Sequence, residues 1–236
     1  MISLDPYKLI YIDIETVSQA PTLHELPVVW QDLWAKKAKN LNKIEQPLDE
    51  SYRQNAAIYA EFGKIICISL GIFSAGIFKI KSFYGDNESA LLIEFIELLK
   101  KVKVTTSFCG HNIKEFDLPY IGRRLLANSI TLPKLLDIQG LKPWEITHVD
   151  TMQLWKFGDY KNYTSLDLLA HVLDVPTSKN DIDGSLVGQV YWLENGLQRI
   201  VEYCQRDVLA TANVYLRMNQ MPLIDTEVIV IGEQIK

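Results

Sequence analysis

Hydrophobic and polar positions alternate in short runs through the first third of the chain and recur at helical spacing after it. LIYID (9–13), KIICISLGIF (64–73) and AGIFKIKSFYG (75–85) are strand-length and rich in β-branched and aromatic residues. The third run alternates apolar with polar residues, as a half-exposed strand does. Only Ser74 and its neighbours separate it from the second, so the two read as a hairpin. NESALLIEFIELLKKV (87–102) changes the period: Leu91, Leu92, Phe95, Ile96 and Leu99 share a helical face behind a cap-like Asn87, with lysines in the last turn. A fourth strand is expected in KVTTSFCG (103–110), then a helix over 117–129. HVDTMQLW (148–155) reads as a fifth short strand running into a helix. Helices are expected again over 165–173 and 196–218. A hairpin followed by alternating strands and helices indicates an α/β domain with a mixed sheet.

Residues 1–218 are expected to form this domain, with a helical insertion over about 18–62 that separates the first strand from the second. Trp30, Trp34, Ile58 and Tyr59 would supply its apolar faces, and Lys36, Lys37, Lys39 and Lys43 a solvated one. Residues 219–236 form a tail in which EVIVIG (227–232) is a candidate edge strand or partner-binding segment. A hydrophobic content of 48% allows one sizeable core, yet no apolar run approaches a membrane span, and no membrane association is expected. The N-terminus has no charged segment leading into an apolar one, so a cytoplasmic protein is expected. The three cysteines, Cys67, Cys109 and Cys204, lie far apart in apolar surroundings, which suits small core residues rather than disulfides or zinc ligands. The formal net charge of −5 gives no overall basic field to advertise nucleic acid.

The candidate chemistry starts in KLIYIDIETV (8–17), where two carboxylates close a run that otherwise reads as buried strand. Residues two apart on a strand point to the same side, so Asp13 and Glu15 face one space and Ile12 and Ile14 the opposite layer. Two like charges there raise each other's energy, and burial raises it further. A divalent cation resolves this economically, since carboxylate oxygens are natural ligands of Mg²⁺ or Mn²⁺. The alternative is that the strand ends at Ile12 and both acids are solvated. In GHNIKEFDLPYIGRRLL (110–126), Asp117 stands where a helix N-cap would serve before Leu118 and Pro119. It also follows a strand and a glycine, at the sheet edge where α/β folds open their sites. His111 suits a structural or substrate-stacking role better than metal ligation, and Asn112 either caps the turn or points into the cleft. On the last helix Asp207 occupies an inward stripe with Ile200, Cys204, Thr211 and Tyr215, with Tyr203 one turn earlier. A buried carboxylate needs a partner, which is either a metal or a cation such as Arg206.

YIDIET, NIKEFDLPYI and YCQRD, in this order, resemble the three motifs of the DEDD-type 3′-5′ exonucleases, in the branch whose third motif is tyrosine, three residues, aspartate. FDLPYI, SLDLLAHVLDVPTSKNDIDGSLVGQVYW and IVEYCQRDV look most like predicted exonucleases related to the proofreading domain of family B DNA polymerases. The resemblance covers most of residues 8–218. It implies a ribonuclease H-like three-layer α/β fold, a five-stranded mixed sheet with one strand antiparallel, flanked by helices. It also implies two divalent ions, Mg or Mn, held by Asp13, Glu15, Asp117 and Asp207, with Tyr203 as an accessory phenol that orients the attacking water. Asn112, Phe116, Thr16 and His111 are the candidate substrate contacts, and Tyr120 a further candidate for stacking terminal bases. Lys179 is a candidate phosphate contact, although a solvated loop lysine explains it as well. Asp150 reads as a supporting or capping residue without a claim on the metals.

The expected activity is release of nucleoside monophosphates from the 3′ end of a single strand, DNA before RNA, by two-metal hydrolysis. An exonuclease grips only a few nucleotides, so local contacts replace a wide basic face. The departures from the resemblance are the helical stretch before residue 63 and the absence of a polymerase-like segment after 218, so proofreading in cis is not expected. An RNA-trimming exoribonuclease, a non-catalytic nucleic-acid-binding module and a hydrolase of small phosphoesters are the alternatives. Protein partners are left open.

Overall fold

In a computed structural model the chain is described over residues 4–41, 46–142, 144–159, 161–176, 182–225 and 229–231. Lys43 and Lys179 fall outside these residues, as do 227, 228 and 232 of the tail segment. In chain order the main elements are β1 (Ile10–Ser18), α1 (Val28–Leu41), α2 (Leu48–Asn55), β2 (Gly63–Ser74), β3 (Ile77–Tyr84) and α3 (Glu88–Leu99). They continue with β4 (Phe108–Gly110), α4 (Asp117–Ala127), β5 (Val149–Asp150), α5 (Thr151–Trp155), α6 (Leu166–Val172), α7 (Val187–Glu194), α8 (Leu197–Met218) and β6 (Val230–Ile231).

The sheet order is β5-β4-β1-β2-β3-β6. β2 runs antiparallel to both of its neighbours, and β1 is parallel to β4 and β4 to β5. This is the mixed five-stranded sheet with one reversed strand, extended by the two-residue β6, which lies parallel to β3 at the far edge. The β2–β3 hairpin turns through Ala75 (φ 52°) and Gly76 (φ 80°), with Ser74 opposite Ile77. Two successive positive φ values suit the twist of the flanking strands.

β1 continues past the acids to Ser18, and its alternation explains both layers. Ile10, Ile12 and Ile14 enter the cluster formed with Leu91, Leu92 and Phe95 of α3 and Leu118, Ile121 and Leu125 of α4. Tyr11 and Val17 enter the clusters on the other face, with Val208, Ala212 and Tyr215 of α8 and with Val187 and Val190 of α7. The row on the α8 side therefore reads Tyr11, Asp13, Glu15, Val17. Two carboxylates occupy positions where core residues are expected.

Three local outcomes differ from the sequence pattern. β4 is only Phe108–Gly110, because the β-branched residues at 104–106 are drawn into a turn closed by Thr106 N–H to the Lys103 carbonyl, 2.9 Å. Asp117 is the first residue of α4 rather than its N-cap, which is Phe116. α7 has no counterpart among the expected helices. Between β1 and β2, Trp34 centres a separate cluster with Leu23, Tyr52, Ala56 and Phe62, packed edge-on against the rings of Tyr52 and Phe62. Among the described residues no helix is long and apolar enough to cross a membrane.

A buried ion pair ties the layers together. Beyond the end of β3, the Ile65 amide donates to Glu88 Oε1 at 2.7 Å. Arg124 Nε and Nη2 donate to the same carboxylate at 2.9 and 2.5 Å, Nη1 donates to the Ala60 carbonyl at 2.7 Å, and Asn128 Nδ2 adds a bond of 3.0 Å.

Candidate active site

β4 stops at Gly110 while β1 runs on, so the β4-side edge of β1 opens beyond Tyr11. In that gap the Ile14 amide donates to Asp117 Oδ1 at 3.2 Å. This places a carboxylate from α4 between Asp13 and Glu15 along the strand. Gly110 permits the close passage, since a Cβ there would lie 2.8 Å from the Ile12 carbonyl oxygen and collide with the Ile113 side chain.

From the other face α8 brings Cys204 and Asp207. The Cys204 thiol donates to the Asp13 carbonyl at 3.4 Å. Asp13, Glu15 and Cys204 each place one oxygen or sulfur within 4.8 Å of the others. Burial, then the neighbouring Cys67, pushes the Cys204 thiol well up, so it stays protonated and acts as a donor rather than a hard-metal ligand. Tyr203 stands one turn before Asp207 on α8, and its phenol favours the charged form of the Asp207 carboxyl. Burial, then the charges of Asp207, Glu15 and Asp13, keeps that phenol protonated.

The acids repel one another. Burial, then the charges of Asp207 and Asp117, raises Asp13 well above the usual carboxylate range, and burial with Asp13 does the same to Glu15. Burial lifts Asp117 to about 7 and Asp207 to about 6, the latter opposed by Tyr203 and Arg206. None of the ion pairs among the described residues includes any of these four carboxylates. Asp13 Oδ2 is buried without a hydrogen-bond partner, and so is Arg206 Nε nearby.

A stability consequence follows with a definite sign. The folded metal-free protein holds protons on Asp117 and Asp207 that the unfolded chain, at the ordinary 3.8, has already released. That stabilisation is complete below about pH 4 and is lost as pH rises towards about 7. Thermal melts in chelator are expected to show a midpoint several degrees higher at pH 5 than at pH 8. Equal midpoints would mean that burial does not raise the Asp117 and Asp207 carboxyls.

The other candidates serve the frame around the acids. His111 Nε2 donates to the Thr164 carbonyl at 2.8 Å and Nδ1 meets Thr151 Oγ1 at 2.9 Å, while burial lowers its pKa and keeps it neutral. Asn112 takes φ 66°, its amide donates to Asp150 Oδ1 at 3.0 Å, and its own Oδ1 is buried without a partner. Asp150 also accepts from the amides of Lys114, Met152 and Gln153, bracing the 111–114 turn and capping α5. Thr16 is buried with its hydroxyl on the Ala57 carbonyl, 2.9 Å. Phe116 packs half-buried, its ring 5.3 Å from that of Tyr120. Tyr120 is only 1% exposed and donates to the Ala57 carbonyl at 2.8 Å, so it stacks on no base. Sequence reasoning missed the Cys204 hydrogen bond and Asp167, whose charge reaches Asp207 from α6. The inward stripe on α8 carried a signal for Cys204; nothing in the local pattern marked Asp167.

Residues 57–226 match the family described as predicted 3′-5′ exonucleases related to the exonuclease domain of PolB. The chain belongs to this family. As a member it is a predicted 3′-5′ exonuclease, a hydrolase, and its matched segment contains Asp117, Tyr203 and Asp207. The match begins after Asp13 and Glu15, so their place in the site rests on β1 geometry. Among solved structures the chain is similar to the family B DNA polymerase from the hyperthermophilic archaeon Pyrobaculum calidifontis, at a TM-score of 0.58 and 14% identity. The likeness covers 92% of this chain and 24% of the polymerase, so the exonuclease chain spans about a quarter of that protein and shares its fold there. No curated protein matches the sequence.

Proposed function

We propose that the protein removes nucleoside monophosphates from the 3′ end of single-stranded nucleic acid, DNA in preference to RNA, with Asp13, Glu15, Asp117 and Asp207 holding two divalent ions, Mg or Mn. The observation that carries this reading is the gathering of buried Glu15 and Asp117 with half-buried Asp13 and Asp207, none of them in an ion pair among the described residues, and with Asp13 Oδ2 buried without a hydrogen-bond partner. Hard oxygen ligands of this kind fit Mg²⁺ or Mn²⁺. When bound, such ions generate a hydroxide nucleophile from water and stabilise the leaving 3′ oxygen.

The protein's residues set the geometry for that chemistry. Asp117 is aimed by the Ile14 amide, and the Tyr203 phenol one turn before Asp207 favours that carboxyl's charged form. Tyr203 stays protonated, so its remaining role is to orient the attacking water through its oxygen rather than to abstract a proton. The 111–114 turn, fixed by Asp150 and His111, holds the start of α4 against β1.

A gel assay with 5′-labelled, 3′-labelled and 3′-blocked oligonucleotides of both sugars, with Mg²⁺, Mn²⁺ or chelator, tests polarity, sugar and metal together. A one-nucleotide ladder from free 3′ ends, abolished by chelator, is expected. No cleavage of any substrate with either metal would overturn the reading.

A further inference from the structure

The described residues between α5 and α6, 156–159 and 161–165, are tied at both ends to the turn that leads into α4. α5 starts from Asp150, which grips the turn leading to Asp117, and the Thr164 carbonyl accepts from His111 on that turn. Asp167, just beyond, contributes to the field at Asp207. On this anchored loop Phe157 is 92% exposed and Tyr163 69% exposed, and neither belongs to an apolar cluster. Phe157 also holds φ 45°, a conformation that bulky residues rarely adopt, at the position past a helix end that glycine usually fills. Gly158 is the next residue, so the chain strains an aromatic and exposes it completely where a glycine was at hand. Lys161 is exposed between the two aromatic positions, a positive charge on a chain of net −5, whereas the Lys156 side chain is 14% exposed and pairs with Glu115 at 4.0 Å.

We infer that Phe157 and Tyr163 form a stacking platform for unpaired bases of the strand whose 3′ end reaches the acids. The inference rests on the exonuclease reading of the site. An exposed ring stacks on a base with a free face, which single strands offer and paired interiors do not, and the exposed Lys161 suits an accompanying phosphate. Because neither ring is among the groups around the four acids, the platform holds nucleotides upstream of the one released. Stacking tolerates every base, so the grip depends on strand length rather than on sequence.

The test compares Phe157→Ala, Tyr163→Ala and the double variant with Trp144→Ala. Trp144 is an equally bare aromatic, 77% exposed, on the stretch before β5 rather than beyond it. For a single strand of a dozen nucleotides, KM is expected to rise about tenfold per ring removed. Turnover of that strand, hydrolysis of a dinucleotide, and both values for Trp144→Ala should stay at wild-type levels. An unchanged KM, or an equal loss on dinucleotide and long strand, would overturn the platform. If the wild-type chain cleaves nothing, the exonuclease reading falls separately. Fluorescence anisotropy of the labelled strand then decides the platform: no binding, or equal binding by the double variant, sinks it.

Discussion

Asp13→Asn is expected to reduce Mg²⁺- or Mn²⁺-dependent exonuclease activity by about a thousandfold or more while raising the thermal midpoint of the metal-free protein. The first half follows from removing a ligand charge at a site where metal contributes several kcal/mol of charge stabilisation, each 1.4 kcal/mol being about tenfold. The second half follows from the burial and mutual repulsion that push Asp13 and Glu15 up. An amide keeps the shape of the side chain and removes the charge, so the folded state loses a repulsive partner at neutral pH. Activity assays and melts in chelator on the same preparation check both halves. An active variant would take Asp13 out of the site, and an inactive but less stable one would make its role structural. Asp207→Asn should behave alike, with a smaller gain because Asp207 is already relieved by Tyr203 and Arg206.

Glu88→Ala should cost about 3–5 kcal/mol of folding stability, since it leaves the Arg124 guanidinium and the Ile65 amide buried without their acceptor. Urea unfolding with an unchanged slope measures it. Arg124→Leu removes the opposite member and should cost a similar amount, while the two changes together should cost less than the sum of the singles. The residual cost of the double variant comes from Ile65 N–H and the Ala60 carbonyl, which remain without partners. Additive losses would show that the two side chains do not act on each other.

The parity of β1 made the acid pair legible: two residues apart on an alternating strand fixes a shared face, and the folded strand keeps Ile10, Ile12 and Ile14 on one side and Tyr11 on the other before its register against β2 shifts between Glu15 and Thr16. Asn87 was equally readable, and its side chain does accept from the Ala90 amide at 3.1 Å. Local pattern failed where the deciding partner is remote. Asp117 looked like a cap because its contact with Ile14 spans 103 positions of chain. Val104, Thr105 and Thr106 have strand propensity, yet no neighbouring strand extends beside them, and a turn wins. α7 escaped notice because its apolar residues lie on every side of a short helix that lacks a side-chain cap. It is held by tertiary contacts instead, such as Trp192 Nε1 donating to Ser18 Oγ at 3.1 Å.

A single carbonyl oxygen, that of Ala57, receives the hydroxyls of both Thr16 and Tyr120. Thr16 is the neighbour of Glu15, and Tyr120 stands three residues after Asp117, so one atom of the outer helical layer is bolted to both walls of the acid cleft. Any force on the helices around Trp34 that displaces this atom is thereby transmitted to two of the carboxylates at once, as a hinge pin carries load to both leaves of a door.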